Sequence, residues 1–183
     1  MKANRIQVLV TGALLVWSAA ATASAQVQDR FDTRVASEIG RQIERYPQFT
    51  IFDHVSGTVD NGVVTLTGKV TMPFKKTDIG RKAAQVSGVR EVLNNIDVLP
   101  VSSYDEDLRL RIARAIYGNS AFWQYGARAN PPIHIIVENG HVTLTGVVNS
   151  NVDRMLARSL ATGFGELSVT NDLRTDAEMR SEE

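Results

Sequence analysis

Apolar residues along this chain fall into two periods that alternate in a fixed order, and the order occurs twice. Val35, Ile39 and Ile43 recur at i, i+4, i+8, as do Leu108, Ile112 and Ile116, and each set makes one apolar stripe on an amphipathic helix. Acidic residues open both runs, Asp32 in the first and Asp105, Glu106 and Asp107 in the second, where the helix dipole favours them. Ser103-Tyr104-Asp105-Glu106 also fits a capping box. Behind each helix the period drops to two: Val55, Gly57, Val59, then Val64 and Leu66 in one place, and Ile133, Ile135, Val137, then Val142 and Leu144 in the other. Such alternation marks half-buried strands. Asn61-Gly62 and Asn139-Gly140 stand between the strands of each pair, and a type I′ hairpin turn wants positive φ at both central residues. A second helical run follows, near Lys75 to Val86 and Asn151 to Thr162. It leads into a closing strand with Val89, Val92, Ile96 and Val98 in one copy and Leu167, Val169 and Leu173 in the other, Asn95 matching Asn171.

Each copy therefore reads α-β-β-α-β, and the predicted class is α+β: two tandem domains, each a three-stranded sheet covered on one face by two helices. The domains are expected at residues 30–100 and 103–175, with a polar C-terminal tail over 176–183. The junction Leu99-Pro100-Val101-Ser102-Ser103 is short enough for the domains to touch. Duplication is also visible residue by residue. Asn61 to Gly68 and Asn139 to Gly146 agree at seven of eight positions with an offset of 78.

An N-G-x-V-T-L-T-G hairpin followed by a helix and a V-x-x-V-x-N-x-I strand, occurring twice, resembles the BON domain family. Asn61 to Gly68 with Val89 to Val98, and Asn139 to Gly146 with Val169 to Leu173, carry the resemblance, which covers nearly all the chain after its first segment. It departs at Gly163-Phe164-Gly165-Glu166, where the first copy has Ser87-Gly88-Val89. The resemblance implies a binding module of the bacterial envelope, associated with phospholipid surfaces and stress tolerance, and it brings no catalytic residues.

The first segment changes the picture of where the protein works. Lys2 and Arg5 precede an apolar stretch from Ile6 to Trp17, and Ala23-Ser24-Ala25 closes it with an A-x-A pattern, which reads as a secretory signal peptide over residues 1–25. The apolar run falls short of the roughly 20 residues of a spanning helix. Cleavage would leave 158 residues with a net charge of −2. With no cysteine in the chain, a disulfide framework, a thiol nucleophile and a lipidated cysteine are all excluded. The expected product is exported, periplasmic in a Gram-negative cell, soluble and not lipid-anchored. Balanced charge, 20 basic against 20 acidic residues, argues against a nucleic-acid binder.

No catalytic, cofactor or metal site is expected. His54, His134 and His141 align with Pro132, Ser56 and Val63 of the other copy, so none is repeated, and none has the spacing of a known metal site. There is no G-x-S-x-G, Walker loop, H-E-x-x-H or dinucleotide fingerprint. Thr65-Leu66-Thr67 and Thr143-Leu144-Thr145 read as the solvent face of an edge strand. The informative difference between copies is an insertion. The first helices align at an offset of 73 and the strands at 78, so five extra residues lie between Ile116 and Ile133. They are rich in aromatics: Phe122, aligned with Phe49, then Trp123 and Tyr125, then the cation Arg128. Amphipathic aromatics beside a cation suit an interfacial membrane contact or a protein partner, while packing of Trp123 and Tyr125 at the domain junction is the alternative. Trp123, Tyr125 and Arg128 are thus the first candidate contact surface, and Phe74, Lys75 and Lys76, in a loop with an apolar tip, the second; the alternative for that stretch is a helix N-terminus with Phe74 folded inward. The expected function is a non-enzymatic envelope module contacting anionic phospholipid or a membrane-associated complex; the alternative is a soluble periplasmic scaffold or chaperone-like protein.

Overall fold

The computed structural model describes residues 17–181, with side chains described from Gln28 onward. Thirteen Gly and five Pro punctuate the chain into two copies of one unit. The first consists of α1 (Trp17–Glu44), β1 (His54–Asp60), β2 (Val63–Val70), α2 (Pro73–Ala84) and β3 (Glu91–Val98). The second consists of α3 (Ser103–Tyr117), a 3-10 turn (Ser120–Phe122), α4 (Trp123–Gly126), β4 (Ile133–Glu138), β5 (His141–Val148), α5 (Asn151–Leu160), β6 (Ser168–Thr175) and a terminal helix α6 (Asp176–Ser181). In each sheet the hairpin strands are antiparallel and the third strand runs parallel to the second, in the order β1-β2-β3 and β4-β5-β6.

The helical stripes and one face of each sheet form separate cores. Val35, Ile39, Ile43, Val64, Leu66, Ile79 and Ile96 fill the first; Leu108, Ile112, Ile116, Phe122, Ile135, Leu144 and Leu173 fill the second. Both Asn-Gly turns adopt the positive φ their sequence predicts, 49° and 77° at Asn61-Gly62 and 51° and 79° at Asn139-Gly140. A carboxylate from the first helix fastens each turn. Asp32 accepts from the Asn61 and Gly62 amides at 2.9 and 3.2 Å, and Asp105 from Asn139 and Gly140 at 2.9 and 2.8 Å. The acidic helix openings therefore do more than complement a dipole.

Several expectations change. The first helix begins at Trp17 rather than near Asp32, because the Ala-rich stretch before Asp32 holds no Gly or Pro to stop it; it runs through the expected cleavage point. Residues 1–16 of the expected signal peptide lie outside the described residues. Thr65-Leu66-Thr67 lies on a central strand, not an edge. Asn171 corresponds to Asn94, not Asn95, since Leu66 faces Asn94 and Leu144 faces Asn171. Both asparagines donate to a carbonyl of the preceding helix, of Lys76 and Arg154, at 2.8 Å. The polar tail is helical from Asp176 because Thr175 and Glu178 form a reciprocal cap, a T-x-x-E box.

The domains touch. The Ile51 carbonyl accepts from the Ile135 amide at 2.7 Å, Ile51 and Phe52 pack against the second core, and Lys69 pairs with Glu138.

Candidate functional site

The insertion that distinguishes the second domain builds a short rigid platform. The Asn119 side chain caps the 3-10 turn by accepting from the Ala121 amide at 3.0 Å, and α4 follows at once. Phe122 and Tyr125 point inward with rings 5.6 Å apart. Tyr125 is buried, its hydroxyl donating to Asp153 and accepting from the Asn149 amide, each at 2.8 Å. Burial raises the phenol pKa, the Asn149 amide opposes this, and the Asp153 carboxylate adds to it. Arg128 lies over the Tyr125 ring at 5.8 Å. The platform leaves Trp123 outward, 74% exposed.

Tyr125 is therefore an anchor and not a contact residue, and it packs in the second domain's own core rather than at the domain junction. Trp123 and Arg128 remain exposed. The Tyr125–Asp153 bond holds α4 against the first turn of α5, and Val152 on that turn and Met155 on the next are each 72% exposed. Sequence reasoning missed these two. The available signal was surplus: Leu156, Leu160 and Ala157 already supply α5 with its core side, so Val152 and Met155 are apolar residues the fold does not use.

The second candidate group divides in the same way. Met72 to Lys76 is the N-terminus of α2, with Pro73 in its first turn, where a missing N–H costs nothing. Phe74 points outward, half exposed, and Lys75 is buried. Its ammonium donates to Asp53 at 2.6 Å and to the Thr71 hydroxyl at 2.8 Å. Asp53, fully buried, also accepts from the amides and hydroxyls of Thr50 and Thr71. Burial raises the Asp53 pKa, but Lys75 and these donors together hold it below the usual carboxylate value. Lys75 is thus a structural cation, and Lys76 is only partly exposed. Phe74 lines a cleft of about 360 Å³ between the domains with Phe52, Met72, Val101, Arg109 and Leu110. Phe74 and Val152 occupy the same place in their two domains, so each second helix shows one apolar residue to solvent on its first turn.

Among the described residues no three His, Asp or Glu side chains gather into a metal-holding group. His54 and His134 approach at 6.1 Å across the domain contact, and His141 Nδ1 lies 2.8 Å from the Ser168 hydroxyl.

The α-β-β-α-β unit with a clamped Asn-Gly hairpin, present twice, coincides with two matches to the BON domain, over residues 31–100 and 105–177. The chain belongs to the BON domain family. Its two BON domains differ chiefly in the platform that carries Trp123. No curated protein matches the chain. It is similar to CdsD, a structural protein of the type III secretion system of Chlamydia trachomatis, at 16% identity over 79% of this chain and 96% of that chain, with a TM-score of 0.26. The C-terminal domain of CdsD matches at 15% identity over 73% of this chain and 94% of that one, with a TM-score of 0.25.

Proposed function

We propose that this tandem BON protein is exported, is not an enzyme, and makes peripheral contact with anionic phospholipid through the Trp123 end of its second domain. Trp123 carries the reading: an aromatic side chain 74% exposed on a platform whose other two rings are buried. An indole at a membrane interface buries its ring among headgroups and keeps its N–H wet. Val152 and Met155 supply further apolar area, and Arg128 and Arg158 are exposed cations that attract anionic headgroups by about 1 kcal/mol each. The exported chain carries a net charge of −2, so attraction comes from this local cluster and is salt-sensitive. Among the described residues no helix is long and apolar enough to cross a membrane.

The chain has two tryptophans, Trp17 and Trp123, and removal of the signal peptide leaves Trp123 alone. Its emission is expected to shift to the blue with phosphatidylglycerol-containing vesicles and to stay fixed with pure phosphatidylcholine. Trp123→Ala is expected to reduce co-sedimentation with the anionic vesicles while leaving the melting temperature unchanged. A loss of several degrees on that substitution, or an unmoved emission spectrum, sinks the reading.

A further inference from the structure

The two hairpins present equivalent edge strands, and the chain treats them differently. In β4 the two-residue turn pairs Glu138 with His141, so the even-numbered residues bond β5, and the N–H and C=O of Ile133, Ile135 and Val137 face outward. These positions are plugged. The Tyr117 hydroxyl donates to the Ile133 carbonyl and accepts from its amide at 2.5 and 3.1 Å. The Ile135 amide donates to the Ile51 carbonyl of the first domain at 2.7 Å. The Arg109 guanidinium donates to the Val137 carbonyl at 2.6 Å.

In β1 the corresponding outward residues are Val55, Gly57 and Val59, since Asp60 pairs with Val63 across the turn. None of the plugs is repeated. At the helical offset of 73, Glu44 stands where Tyr117 stands and Ala36 where Arg109 stands, and among the described residues no loop donates to or accepts from this edge as Ile51 does for β4. Among the described residues no group bonds the outward amides and carbonyls of Val55, Gly57 and Val59. The strand is seven residues long, pairs with β2 without a bulge, holds no Lys or Pro, and exposes Ser56, Gly57 and Thr58. Edges that must stay single usually carry one of those devices.

We propose that β1 is an association edge whose occupant is β1 of a second copy of this chain, paired antiparallel about Gly57. The strand's own sequence argues for that partner. Centring the dyad on Gly57 sets Val55 opposite Val59 and Ser56 opposite Thr58, so apolar and hydroxyl positions each meet a match. The outward residues then form three hydrogen-bonded pairs, giving six backbone hydrogen bonds. The interface is isologous, as a two-fold dimer requires, and joins two three-stranded sheets into one of six. It is small, so the dimer is concentration-dependent. Trp123 lies in the other domain, and the inference stands apart from the phospholipid reading.

The test uses the full gene product, purified as the exporting cell processes it, in sedimentation equilibrium and amide exchange. The wild type is expected to dimerise as concentration rises, with exchange at Gly57 slowing in parallel. S56K/T58K puts like charges opposite each other at two symmetric places across the dyad and should weaken the dimer about tenfold. Both side chains are exposed and both variants lose the same bond of the Ser56 hydroxyl to His54 Nε2 at 3.2 Å, so the melting curve of S56K/T58K should match that of S56K/T58E. S56K/T58E makes the same two cross-strand pairs attractive and should restore the dimer. A wild type that stays monomeric overturns the proposal. So does a dimer that forms with Gly57 exchange unchanged, or one whose charge-swapped variant stays as weak as S56K/T58K.

Discussion

Two adjacent lysines in α2 show how little residue type decides a role. Lys75 and Lys76 are chemically identical, yet Lys75 closes a buried pair with Asp53 while Lys76 reaches toward solvent. Removing one partner of a buried pair strands the other charge and costs roughly 3–5 kcal/mol. Lys75→Ala is expected to lower stability on that scale in denaturant titration, and Lys76→Ala to leave it unchanged. The pair also sets an acid limit. Asp53 is held below its unfolded value, so its contribution is complete above the ordinary carboxylate range and is lost as pH falls through the lower folded value. Lys75→Ala removes one of the influences that depress the Asp53 pKa and is expected to raise the midpoint of acid unfolding, followed by circular dichroism. At α4, Tyr125→Phe leaves the Asn149 amide and the Asp153 carboxylate without a shared partner, a loss of about 1–3 kcal/mol. Vesicle binding per folded molecule should survive it, because the outward residue is Trp123.

At the scale of elements, the helix-to-hairpin clamp is the device both domains share. Asp105 is fully buried, and both its oxygens are committed to the amides of the β4–β5 turn. Asp105→Ala leaves those two donors without a partner, and each buried unsatisfied group costs about 1–3 kcal/mol. Asp105→Asn keeps one acceptor and should lose less. Hydrogen exchange at Asn139 and Gly140 checks this directly: both amides should exchange faster in the Ala variant than in the Asn variant. The clamp was half legible in the sequence. Acidic residues at a helix start were visible, but their target lay 34 residues away in the chain, and local pattern does not reach that far.

Across the whole molecule, the domain contact contains two histidines. His134 sits in the contact with its ring 5.5 Å from Phe49 and 6.1 Å from His54. Burial lowers the pKa of both. The charge of His134 adds to the lowering at His54 and Asp172 opposes it, while at His134 backbone hydrogen bonds at Asp53 and Thr50 and the charges of Asp53 and Glu44 pull the other way. A histidine with a depressed folded pKa binds its proton more readily once released, so its stabilising contribution is full above an unfolded value of about 6.5 and declines as pH falls below it. Lowering the pH from about 7.5 to 5.5 should therefore loosen the contact of Ile51 and Phe52 with the second domain. Cleavage at the Leu99–Ser103 junction by a protease of fixed activity should accelerate over that range, and His134→Asn should flatten the response.

The identity and order of the repeated α-β-β-α-β elements were decided by the sequence alone, because helical stripes, strand alternation and the Asn-Gly turns are properties of neighbouring residues; α4 and α6 were not foreseen. The duplication followed from the same signals read twice. What tertiary structure decided was direction. α2 rotates Lys75 inward and Phe74 outward because Asp53, 22 residues earlier, waits under its first turn. The inserted aromatics divide into Phe122 and Tyr125 inside and Trp123 outside because two rings join the second core and the phenol meets Asp153 of α5 and the Asn149 amide just before that helix. Ile51 and Phe52 stood in an unpatterned loop, and only the approach of the second domain gave them a strand edge to cover. Such outcomes turn on which surfaces meet after folding, between residues tens of positions apart, and no local period records that.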